Sequence, residues 1–367
     1  MTKRGKGLRS GYTTGACAAA AALGAARMLR ERQTVKAVNL ILPAGVTARF
    51  ALQGQAFSKD DATCFVIKDA GDDPDVTDGV EVHARVERCS PSPLEGEGAV
   101  VIQGGVGVGT VTKPGLPIAI GEPAINPVPR RMIEEAVRLV FPEGGVSVVI
   151  SVPDGEERAQ KTLNARLGII GGLSILGTTG IVRPVSNRAW TDTIDVAIDV
   201  ALASGNDRVV LVTGRTSERV AQAHLGLPEE AFVMMGDHVG YALGACLRKA
   251  VPAITVAAQF AKLLKIACGH KQTHVDSSRL DLAQLAVWGH DAGLDASVTE
   301  KIECANTARE VLTAFPAAAA LADIVAARAL PLMGAWAGGL VCDILLIGYA
   351  DSVFAEYRPE REKDLEA

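Results

Sequence analysis

With 367 residues, 38 of them glycine, and a formal net charge of −5, the chain is long enough for two domains with well-buried cores. The slightly acidic balance, without a basic stripe or a nucleic-acid motif, argues against a nucleic-acid partner. Cys17, Cys64, Cys89, Cys246, Cys268, Cys304 and Cys342 stand singly with no Cys-x-x-Cys pair, which argues against a zinc site and a disulfide framework.

The chain opens on Arg9-Ser10-Gly11-Tyr12-Thr13-Thr14-Gly15-Ala16-Cys17, which runs into the alanines Ala18 to Ala22. A glycine turn here brings two hydroxyls to the start of an alanine-rich helix that continues through Leu23, Met28 and Leu29. Helix starts carry unpaired N–H groups and the positive end of the macrodipole, so Thr13 and Thr14 either cap the helix or help to seat an anion. Strand-like runs follow near Val35–Leu42, Ala48–Leu52, Thr63–Lys68, Val80–Val86, Ala99–Gln103 and Val146–Val152, with a helix over Val128–Phe141. This first part, 1–188, reads as an α+β domain carrying the glycine-rich motifs.

From 189 to 367 the pattern becomes α/β. Thr191 or Asp192 is placed to cap a helix ending near Gly205. Then come strand Arg208–Thr213, a helix from Ser217, strand Phe232–Met235, a helix from about Val239 and strand Ala253–Ala257. Strands alternating with helices, several of them continuously apolar, predict a short, mostly parallel sheet covered on both faces. Helices around Arg279–Trp288, Val298–Leu312 and Ala317–Ala329 and a late strand Val341–Ile347 complete it, before a charged tail from Arg358 onward. No charged leader is read at the start, and Asp323 interrupts the richest apolar run, Ala317 to Ala327. A cytoplasmic protein without a membrane span is expected.

Five segments look too specialised for scaffolding alone. The first is the Thr13-Thr14-Gly15 start. The second, from Lys68 to Gly79, holds the carboxylates Asp69, Asp72, Asp73, Asp75 and Asp78 in one loop. Its spacing fails as a calcium loop, because counting from Asp73 puts Ala84 where a bidentate Glu is needed; a solvated turn and a functional loop both remain open. The third, Gly104 to Gly109, is followed by strand-like Thr110-Val111-Thr112 rather than a helix, which rejects a dinucleotide fingerprint. The fourth joins Gly121-Glu122-Pro123-Ala124-Ile125-Asn126-Pro127 to the stretch from Gly171 to Pro184, which repeats Thr-Thr-Gly at Thr178, Thr179 and Gly180 and reaches the cation Arg183. The fifth is the pair of strand ends Thr213-Gly214-Arg215-Thr216 and Gly236-Asp237-His238. Ligands of open parallel sheets collect at that edge, so Gly214, Arg215, Gly236 and Asp237 are candidates for a nucleoside-type pocket.

In this order the motifs resemble those of the CbiD family, the cobalt-precorrin-5B C1-methyltransferases of cobalamin biosynthesis, over nearly the whole chain. The resemblance implies methyl transfer from S-adenosylmethionine to carbon 1 of a corrin-precursor macrocycle, with no protein-bound metal. It also implies two domains, an α+β N-terminal part and a C-terminal α/β part. The partner is then a small tetrapyrrole, with neither nucleic acid nor membrane, and a homo-oligomer is left open. A macrocycle rimmed by carboxylates needs local cations. Lys68, Lys113, Arg130, Arg131, Arg166, Arg183, Lys262 and Lys265 lie in or beside the family motifs, and Thr13, Thr14, Thr178 and Thr179 would wall the same pocket. Asp69 and Asp72 are the catalytic candidates, with Asp237 beside them for testing. The chain departs from the family at Ala257 to Lys265, where a glycine usually precedes the two lysines, and at Gln272-Thr273-His274-Val275.

Overall fold

The alanine run forms the buried hub of the first half. Ala16 and Ala18 to Ala22 have no exposed surface. The computed structural model describes residues 8–88, 99–143, 145–184 and 187–359, in two units, Met1–Ser186 and Asn187–Ala367. Cys89 and the charged tail beyond Pro359 lie outside the described residues.

The first unit runs β1 (Gly11–Tyr12), α1 (Thr14–Glu31), β2 (Ala37–Ile41), β3 (Thr47–Ala51), β4 (Gln53–Phe57), β5 (Asp61–Ile67), β6 (Glu81–Arg88), β7 (Val100–Gly104), β8 (Thr110–Val111), α2 (Pro127–Arg138), β9 (Val146–Ser151), α3 (Gly155–Ala159), β10 (Ile169–Ile170) and β11 (Ile181–Val182). A mixed sheet of order β4-β5-β6-β9-β7 carries α1 on one face, with only β7 and β9 parallel. Alternation buries Ala62, Cys64 and Val66 of β5 and Val82, Ala84 and Val86 of β6. Small residues on both partners let helix and sheet approach closely, where larger side chains would hold them apart. β2 and β3 pair as a separate hairpin. β4 escapes sequence reading because its residues are mostly exposed and do not alternate; it is an edge strand defined by its pairing with β5.

The second unit runs α4 (Asn187–Ala203), β12 (Arg208–Val212), α5 (Arg215–Leu225), β13 (Phe232–Met234), α6 (Val239–Arg248), β14 (Ala253–Gln259), α7 (Phe260–Ala267), α8 (Leu282–Asp291), α9 (Ala296–Cys304), α10 (Ala308–Ala314), α11 (Ala318–Trp336), β15 (Cys342–Ile347) and β16 (Val353–Tyr357). The sheet order is β13-β12-β14-β15-β16, parallel except for β16. The expected short, mostly parallel sheet is therefore present. The chain reverses its direction of progress across the sheet between β12 and β14, the kind of switch point where α/β sheets open a crevice at their carboxyl edge.

Several boundaries differ from expectation. Thr191 and Asp192 lie inside α4, which starts at Asn187; Thr191 Oγ1 bonds the Arg188 carbonyl instead of capping. α5 starts at Arg215, and Ser217 is buried against Thr213, 3.0 Å between hydroxyls. The single helix expected over Val298–Leu312 is broken at Ala305–Thr307. Thr307 caps α10 by accepting from the Glu310 N–H, while Glu310 accepts from the Asn306 N–H. The apolar run around Asp323 extends to a 19-residue helix, α11, long and apolar enough by length and composition to cross a membrane. It nonetheless buries Leu321, Ala322, Val325, Ala326, Ala329 and Met333 in the second unit's core, and Asp323 accepts from Tyr357.

Candidate functional site

The two Thr-Thr-Gly turns meet. β1 pairs antiparallel with β11, Gly11 opposite Val182 and Tyr12 opposite Ile181, and the Thr13 N–H donates to the Gly180 carbonyl. Thr13 caps α1 through its hydroxyl, which accepts from the Ala16 N–H at 3.2 Å. The Gly15 N–H donates to the Leu176 carbonyl at 3.0 Å, and the Thr14 hydroxyl accepts from the Leu176 N–H at 3.0 Å. This corrects the anion-seat option. The Gly15 and Ala16 N–H groups are spent on the protein, and the Thr13 and Thr14 side chains are buried and face the Leu176–Gly177 turn. Thr178 and Thr179 of the second turn are exposed. Thr179 bonds Ile181, and no hydrogen bond involves the Thr178 side chain among the described residues.

The acidic loop braces the same corner. Tyr12 donates its N–H to the Asp69 carbonyl at 2.7 Å, and a side chain at Gly11 would collide with the Asp69–Gly71 backbone. Asp69 accepts from Nη1 and Nη2 of Arg9 and from the Gly71 N–H. Those bonds hold its carboxyl below the usual range, the Arg9 contact being the largest cause. Asp72 accepts from the Arg9 N–H at 2.6 Å, and Asp78 from the Ala70 N–H at 2.8 Å. Lys68 is 2% exposed and its ammonium lies 2.6 Å from Asp75, so in this arrangement its charge is met inside the loop rather than presented to a ligand.

The glycine motifs are woven together. Gly109 donates to the Leu173 carbonyl and accepts from the Ala124 N–H, while Asn126 donates to Ile175 and Leu173 to Gly107. Gly107, with φ +71°, crosses so close to Val152, Gly155 and Gly172 that no side chain fits there. Beside this weave lies a cleft of about 720 Å³, lined by Ala99 and the edge strand β7, Val108, Thr110, Gly121, Glu122, Pro123 and Arg130. Arg130, in the first turn of α2, stands 3.7 Å from Glu122 and 3.5 Å from the Ile102 carbonyl. Lys113 instead lies along Gly168 and reaches the Arg166 carbonyl. Arg183 is exposed and makes no ion pair among the described residues.

In the second unit the predicted carboxyl-edge residues are joined by residues from α7 and the loop after it. Asp237 follows β13, and its Oδ1 accepts from the Lys262 ammonium and from the Thr273 hydroxyl, the latter at 2.6 Å. Burial pushes this carboxyl up, but the bonds from Lys262 and Thr273 and the lysine's charge outweigh it, so the net shift is downward. Oδ2 has no hydrogen-bond partner among the described residues. Lys262 and Lys265 both reach the Thr273 carbonyl. Lys265 is nearly buried, and burial first, then the charge of Lys262, lowers its pKa. His238 is also lowered by burial. Gly214 caps α5 with nothing within 4 Å of where its Cβ would sit, and Arg215 beside it is exposed.

Four predicted segments are therefore linked in the first unit, and Lys262 and Lys265 join Asp237 in the second. Sequence reading missed Thr273, which was noticed only as part of a family departure, and Trp190, whose indole N–H donates to the Met235 carbonyl at 3.2 Å. An isolated Trp near a helix start carries no positional signal, because the contact that fixes it lies beyond the next two strands. Four of the cysteines are poor nucleophiles in this arrangement: burial pushes the Cys17, Cys64, Cys246 and Cys342 thiols up to about 12.

Comparison with known proteins places these features. The family model described as CbiD matches residues 1–184, and that described as CbiD, C-terminal domain, matches 272–357. A cobalt-precorrin-5B C(1)-methyltransferase from Geobacter metallireducens is 57% identical over 366 residues, covering 95% of this chain and 98% of the relative. One of the same description from Pseudomonas putida is 45% identical and covers 88% of each. Among solved structures, a cobalamin biosynthesis protein (cbiD) from Archaeoglobus fulgidus matches with 32% identity and a TM-score of 0.40, covering 72% of this chain and 81% of that one.

Proposed function

The chain belongs to the CbiD family and catalyses the cobalt-precorrin-5B C(1)-methyltransferase reaction of cobalamin biosynthesis; we propose that its two units divide the ligands, the first seating the macrocycle and the second the methyl donor. The observation that carries the division is the carboxyl edge of the second unit's sheet. There a glycine turn after β12 opens α5, and a carboxylate follows the neighbouring strand β13 about twenty residues on, the arrangement by which doubly wound sheets hold a nucleoside.

S-adenosylmethionine, when bound, supplies the methyl group on a positively charged sulfur. The residues present fit it. Asp237 keeps Oδ2 for ribose hydroxyls while Lys262 and Thr273 hold Oδ1, so the carboxylate is oriented before the ligand arrives. Gly214 borders open space, and Arg215 stands ready for the amino-acid end. In the first unit Arg130 offers its guanidinium to a rim carboxylate of the macrocycle in the cleft beside β7. Thr178 and Arg183 are exposed but do not line that cleft. Lys68, Lys113, Thr13, Thr14 and Thr179 act behind these, shaping the loops. Transfer to carbon discharges the sulfonium, so attraction between carboxylates and that charge does not by itself speed the step; alignment does.

Anaerobic incubation of the full-length protein with cobalt-precorrin-5B and isotopically labelled S-adenosylmethionine tests the reading. Mass analysis is expected to find one labelled methyl on carbon 1. A macrocycle recovered without label, under conditions where both ligands bind, overturns it.

A further inference from the structure

The second unit holds an aromatic ring that stays half open to solvent. Trp288 and Trp336 pack against the second unit's hydrophobic core, whereas Trp190, on α4, is 47% exposed. It is nevertheless fixed. Its indole N–H is bonded to the Met235 carbonyl, and its ring lies over Gly236, whose φ is +57°. A Cβ at Gly236 would come within 3.1 Å of Cζ2 and 3.3 Å of Cε2, so the missing side chain is what lets the indole rest on the main chain. The His238 ring runs nearly parallel, 26° away in tilt and 6.3 Å between centroids. A large apolar ring held in one orientation with almost half its surface open does little for stability, but it is already ordered for a flat ligand. The residue between Gly236 and His238 is Asp237, whose Oδ2 is unbonded among the described residues.

We propose that Trp190 is the platform on which the adenine of the methyl donor stacks, next to the Asp237 carboxylate that takes the ribose hydroxyls. The proposal rests on the assignment of the donor to the second unit. It names the part of the donor that each residue reads: Trp190 the base, Asp237 the sugar. A ring stacked on this indole needs no charge, so S-adenosylhomocysteine and adenosine alone are recognised through the same contact as the sulfonium donor.

The test uses the full-length protein with S-adenosylhomocysteine and adenosine as probes. Calorimetry should show Trp190→Ala weakening S-adenosylhomocysteine by about 5- to 150-fold, the range that loss of one base–aromatic stack produces. Trp190→Phe, which keeps a ring, should stay within about 3-fold of wild type. Adenosine should quench tryptophan emission in the wild type, and Trp190→Phe should abolish that quench; this readout does not depend on Trp190→Ala folding. Quenching that persists undiminished in Trp190→Phe overturns the platform. So does wild-type affinity in Trp190→Ala alongside weakened binding in Asp237→Asn, an outcome that leaves the donor assignment standing. Wild-type affinity in both variants overturns the platform and the donor assignment together.

Discussion

Gly177 lies directly against Thr13: a Cβ at 177 would fall 2.6 Å from the threonine Cγ2 and closer still to its Cβ and hydroxyl. The contact joins residues 164 positions apart in sequence and lies where the two Thr-Thr-Gly turns meet. Gly177 also has φ +130°, which a residue with a side chain rarely adopts. Gly177→Ala combines strain with a clash against the residue that caps α1. It is expected to destabilise the first unit by about 2–4 kcal/mol, read as a lowered urea or thermal midpoint.

Much of this corner was legible from sequence, for a physical reason. Glycines and capping threonines mark places where the backbone itself makes contact, and backbone contact is what holds residues 11–15, 69–71 and 176–182 together. The parallel strands were legible from their continuous apolar runs. What escaped depended on partners distant in sequence. Lys68 reads as a surface cation beside a carboxylate-rich loop, and only the fold shows Asp75 turned in to meet it. β4 has no pattern of its own, and Trp190 gains its position from a glycine on another loop.

The Lys68–Asp75 pair should control acid stability. Lys68→Met leaves the Asp75 carboxylate, which is partly buried, without its cation, and should cost about 3–5 kcal/mol. Burial raises the Asp75 pKa, but the bonds from Lys68 and Thr77 and the lysine's charge bring the net shift below the ordinary value. A carboxyl whose folded-state pKa is depressed contributes stability that is present above the unfolded value, about 3.9, and lost as pH falls through the folded one. Denaturation followed from pH 7 to 3 should therefore show wild-type stability falling only at the acid end. In Lys68→Met that acid-dependent loss should shrink or reverse.

Asp69 and Asp72 separate bracing from chemistry. Asp69 is bonded to Arg9 and Gly71, and Asp72 accepts from the Arg9 N–H. Both ends of the Arg9–Asp69 pair are at least half exposed, so solvent screens it and its loss should change stability little. Single-turnover methyl transfer by Asp69→Asn and Asp72→Asn is expected to stay within about 3-fold of wild type if these groups only hold the loop. A loss beyond about 100-fold in a folded variant would place the carboxylate in the reaction.

The division of ligands between the units is tested most directly by measuring both affinities in two variants of the full-length protein. Asp237→Asn should weaken S-adenosylmethionine by about 10-fold or more and leave macrocycle binding unchanged, and Arg130→Ala should do the reverse. If Asp237→Asn spares the donor, or Arg130→Ala weakens the donor rather than the macrocycle, the division is contradicted.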